Sequence, residues 1–164
     1  MGIALLTLAV VGTACFAASL LLGYVIPGSH SLRSHFVLAL GSTFLLVMAH
    51  SFIMFFLIAT GVELKDMEKA AGWGDTFRRR TIALKSRVFP AMTLALLMVI
   101  VNFILGAAAH TRAVPQSVHS VSSWLTLAVC VWALHREYQV LGANNRLIAE
   151  AASRREDTSV RSGT

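Results

Sequence analysis

Charge is the scarcest commodity in this chain. Of its 164 residues only 13% are Asp, Glu, Lys or Arg, about half the share usual for a soluble domain. Cysteine is nearly absent as well. Cys15 and Cys130 are the only two, both lie in apolar stretches, and neither has CxxC spacing. A disulfide framework or a cysteine-based zinc motif is therefore excluded, and both thiols read as small packing groups. Proline is limited to three positions. No GxSxG, HExxH or phosphate-binding loop occurs, and there is no internal repeat or low-complexity segment. Nothing in the sequence marks an enzyme, and a non-catalytic subunit is the favoured reading.

What the chain has instead is long apolar runs. Residues 34–60 read SHFVLALGSTFLLVMAHSFIMFFLIAT, with no Asp, Glu, Lys or Arg. A bilayer crossing needs roughly 20 such residues. Four apolar runs predict helices over about 2–26, 34–60, 89–109 and 118–138, the first three without a charged residue. The first lacks the basic leader and short apolar segment of a signal peptide, so it reads as a span. Its Ala14 and Ala18 form a small-xxx-small pair suited to close helix approach. The turns are PGSHSLR and HTRAVPQS, rich in breaker residues. Pro90 falls in the expected first turn of the third span, where its missing N–H costs little.

The fold class that follows is an all-α membrane protein. Specifically, it is an antiparallel bundle of four transmembrane helices with a long amphipathic cytoplasmic loop. Residues 1–152 form one domain, and 153–164 form a polar, frayed tail. The loop holds GVELKDMEKAAG, then a Gly72-Trp73-Gly74 break, then TFRRRTIALKSRV with Asp75 as the expected N-cap. Trp73 and Phe77 beside Arg78, Arg79 and Arg80 suit a membrane interface. Net charge is +6, and its distribution is uneven. Seven of 14 Lys and Arg lie between Glu63 and Val88, and five lie from Arg136 onward. The positive-inside rule then places both termini and the loop in the cytoplasm, in a bacterial inner membrane. Anionic lipid at that loop and other membrane subunits are the expected partners, and nucleic acid is not. Acidic residues are read as lying outside the spans, which argues against an ion-coupled pump.

Histidine carries the functional reading. His50 sits deep in the second run, where an ionisable group is costly and marks a site. Thr43 and Ala39 on its face leave room beside the imidazole. His35 begins that run, His110 opens the turn after the third, and His119 and His135 lie near the ends of the fourth. His35 and His50 are separated by a rise of about 22 Å, and His119 and His135 by about 24 Å. Two parallel helices with two histidines each can hold two hemes, one per leaflet. This arrangement resembles that of the diheme membrane b-type cytochromes, over four residues and a topology, with different spacing within the helices. Helical geometry separates His35 from His50 by about 60° but His119 from His135 by about 160°. His110 can therefore replace His119, or His50 and His135 alone hold one heme.

The expected function is thus a small subunit of a larger membrane complex, in electron transfer, with heme b or a neighbouring quinone site. His50 is the leading ligand and His135 its first partner, with His35, His119 and His110 behind them. Besides a proton-relay role for His50, three other readings accompany it. One is a cofactor-free structural or assembly subunit. The second is a small oligomeric channel or transporter. The third is a copper or zinc site built from His30, His35, His110 and His119. Asn102 is expected to bond across helices.

Overall fold

The computed structural model describes residues 2–25 and 29–162, with side chains over 2–24 and 32–158. It consists of four α-helices: α1 (Gly2–Val25), α2 (Ser29–Ala71), α3 (Thr76–His110) and α4 (Gln116–Ser162). All four are long and apolar enough to cross a membrane. His30 and the expected turn at Pro27 lie outside the described side chains.

Three helices are far longer than a crossing needs. α2 has 43 residues, α3 has 35 and α4 has 47, against roughly 20 for the apolar layer. The surplus corrects the expected long loop. Residues 61–71 continue α2 and residues 76–88 already belong to α3, so only 72–75 connect them. The reason is local. The alternating charges of residues 63–69 favour helix before the break. Gly72 and Gly74, at φ 66° and 79°, take the left-handed conformations the reversal requires. Pro90 consequently lies inside α3 rather than in its first turn, where it removes one backbone donor from the helical ladder.

Asp75 occupies the position before α3, but its side chain caps nothing. The cap comes from α2. The Glu68 carboxylate accepts from the Phe77 and Arg78 backbone N–H groups at 2.5 and 2.9 Å. A carboxylate at a helix N-terminus satisfies orphan donors and meets the positive end of the dipole. This explains how Glu68 stays 2% exposed.

Phe77 is not an interfacial residue. It is 1% exposed and packs with Leu64, Leu147 and Ala151 in a small core of its own. Trp73 covers it at a ring separation of 5.8 Å, and the Arg154 guanidinium lies over Trp73 at 5.0 Å. Arg80 Nη1 donates to both Glu150 oxygens at 2.8 Å. The polar stretch expected to fray therefore continues α4, with its Arg154 packed onto the α2–α3 corner.

The core follows a seven-residue rhythm. On α4 the buried residues include Thr126, Cys130, Ala133, Glu137, Val140, Asn144, Leu147 and Ala151, in alternating steps of four and three, with Ser122, Ser123 and Leu141 buried beside them. This is the seam of helices packed at a shallow angle. α1 fits against α2 at Gly12, where an added Cβ would stand 3.2 Å from Leu46. Ala14 and Ala18, expected to serve that purpose, are exposed.

Candidate functional site

Polar residues join α2 to α4 at three levels. The first, beside the α3–α4 turn, is His35 with His119. Their ring centroids are 6.5 Å apart, with an interplanar angle of 78°. The second is His50 with Glu137, and the third is Thr60 with Asn144. Each step advances along both helices, so α2 and α4 run the same way past each other.

The first level is open. Both imidazoles are half-buried and line a cavity of about 620 Å³, a size suited to a ligand or cofactor. Apolar side chains such as Phe16, Phe36 and Phe103 make most of the wall, with Thr43, Asn102 and Ser123 along it and Arg33 and His110 at exposed positions. His35 Nδ1 lies 2.8 Å from the Ser19 carbonyl oxygen. A carbonyl only accepts, so Nδ1 carries the hydrogen and Nε2 is left with its lone pair. This backbone contact is the usual way of orienting a ligating histidine. His119 Nδ1 is buried with no hydrogen-bond partner. Glycines flank both rings. A Cβ at Gly106 would stand 3.0 Å from His119 Cε1, and one at Gly23 would stand 3.4 Å from His35 Cε1. Asn102 accepts from Ser123 Oγ at 3.1 Å, the interhelical bond expected of it.

The second level is closed. His50 and Glu137 are both 0% exposed, and His50 Nδ1 lies 2.5 Å from Glu137 Oε1. His50 Nε2 and Glu137 Oε2 are buried without partners. Apolar neighbours enclose the pair, with Leu46 in one packed cluster and Ala49, Ile53 and Val140 in the next.

This level corrects the expected inner pair. His135 is exposed and contacts Gln139 Nε2 at 2.9 Å. It lies two residues from Glu137, about 200° around the helix, so a helix that points Glu137 at His50 turns His135 away. Thr43 and Ala39 line the open cavity rather than making room at His50. Glu137 itself was missed. Placed after His135 and Arg136, it reads as the interfacial end of the span. The signal that could have found it is the rhythm of Cys130, Ala133, Glu137, Val140 and Asn144, which assigns it to the buried face.

Of the expected histidines, the structure brings together His35, His119 and His110 around one cavity and separates His50 and His135 from them. Among the described residues, no three His, Cys, Asp or Glu side chains converge as a metal site. No family model, curated protein or solved structure matches this chain.

Proposed function

We propose that the chain is an integral membrane subunit that holds one heme b in the open cavity, with His35 and His119 as its axial ligands. The observation that carries this reading is the 6.5 Å separation of the two rings. A ligating imidazole nitrogen sits about 2 Å from its metal, so two rings at this separation would both be within reach of one iron. The neighbouring groups fit the cofactor. Ser19 orients His35, the His119 ring keeps an unpartnered buried nitrogen, Gly23 and Gly106 let the two rings seat closely against α1 and α3, and the walls are apolar. Arg33 and His110 suit the acidic edge of a porphyrin. Heme bound there supplies one-electron transfer. The protein's part is to hold the ligand rings, exclude water and set the surroundings.

In this reading the helices form an antiparallel bundle across the membrane, with the cavity toward the outer face. The long helical extensions and their arginines then project into the cytoplasm, where they meet anionic lipid and partner subunits. The exposed apolar faces of the spans, including Phe44 and Phe55 on α2, meet lipid or those partners.

The test is hemin titration of the detergent-solubilised protein, followed by absorption. His35→Ala and His119→Ala should each abolish the low-spin spectrum, while the H50L/E137L double variant should leave it intact. Loss of the spectrum in folded H50L/E137L alone would move the site to the closed level and overturn the assignment.

A further inference from the structure

His50 and Glu137 hold a carboxylate and an imidazole together where the surroundings offer no other charge. α1 contributes no charged or histidine side chain over residues 2–24. α3 contributes none from Val88 to Asn102. On α2 the nearest ionisable groups are His35 and Glu63, and on α4 they are Cys130, His135, Arg136 and the exposed Tyr138. Cys130 shares the buried face one seven-residue repeat away, while His135 is exposed and Arg136 lies over the Trp132 ring at 5.9 Å.

A carboxylate only accepts hydrogen bonds, so a neutral His50 must place its hydrogen on Nδ1 to make the 2.5 Å contact with Glu137. In that state the pair carries one net negative charge in an apolar core, which is a costly arrangement. One further proton makes the pair net neutral. It can sit only on His50 Nε2 or on the carboxyl, whose free oxygen is Oε2. Nε2 and Oε2 are the two buried atoms of the pair that have no partner. A purely structural ion pair gains by having its remaining atoms hydrogen-bonded, and this one leaves both open.

We infer that His50 and Glu137 form a proton-storage pair that binds and releases one proton per chain within the bundle. Uptake forms one N–H or O–H bond and takes the pair from a net charge of minus one to zero. No electron moves. The inference stands independently of any cofactor in the open cavity.

The experiment is nitrogen NMR of the full chain, labelled with ¹⁵N-histidine, in lipid nanodiscs from about pH 5 to pH 10. H50Q identifies the His50 resonances. The expected result is a one-proton transition in which His50 leaves the Nδ1–H tautomer, for the imidazolium or for the Nε2–H form. E137Q should lower the proton affinity of His50 by tenfold or more. A His50 spectrum unchanged over the whole range together with an unchanged carboxyl shift of ¹³C-labelled Glu137 overturns the inference, as does an unaltered midpoint in E137Q. If E137Q does not fold, ¹³C-labelled glutamate in the wild-type chain decides instead. A Glu137 carboxyl shift in step with His50 supports the pair, and a lone histidine transition contradicts it.

Discussion

α2 and α4 approach each other twice through histidine, and the two approaches are opposites. At His35 and His119 the helices leave a cavity of about 620 Å³, both rings are half-buried, and glycine rather than a larger residue lies beside each. At His50 and Glu137 both side chains are 0% exposed, and the partner is an acid rather than a second imidazole. The same residue type thus meets two environments. Room and a second imidazole suit a bound cofactor, whereas a fully buried acid–base contact suits a proton. Depth in the membrane marks histidine as costly, but the neighbour and the free volume decide what it can do.

The largest effect expected on this contrast is at the closed level. Glu137→Ala leaves His50 buried without its partner and should destabilise the fold by about 3–5 kcal/mol, read from the unfolding midpoint in detergent. The double variant H50L/E137L should recover most of that loss, because packed apolar groups replace such pairs at little cost. A wild-type midpoint in Glu137→Ala would mean that the two levels do not differ as described.

At the charged end of the bundle, Glu68→Ala should cost about 1–2 kcal/mol through loss of the α3 cap, without changing ligand binding. At the open level, Gly106→Ala should lower heme affinity about tenfold, roughly 1.4 kcal/mol, with the unfolding midpoint unchanged. The added Cβ would stand 3.0 Å from His119 Cε1 and displace the ring. The smallest effect belongs to the exposed Arg80–Glu150 pair, where Arg80→Ala should cost no more than about 1 kcal/mol and less in high salt.

The spans were legible because their uncharged runs are long enough to cross a membrane by composition alone. The helical ends were harder. Residues 61–71 and 139–158 mix charge with apolar positions, and only their packing against Phe77 and Trp73 makes one small core of them. Asp75 has the right residue type for a cap, yet Glu68 caps α3 because the tight Gly72–Gly74 reversal brings the end of α2 alongside. The candidate site was half legible. His35, His119 and His110 were identified by type and depth, but the cavity they share depends on how three helices pack. Glu137 was hidden by its neighbours His135 and Arg136, which point elsewhere on the same helix. Periodicity along the buried face separates them, and composition does not.

The central claim is that the open level, and not the closed one, holds a cofactor. A pyridine hemochrome assay on the protein purified from membranes, with a reduced-minus-oxidised spectrum, tests it most directly. The account predicts one b-type heme per folded chain. Folded protein with no heme, or with two hemes per chain, would contradict it.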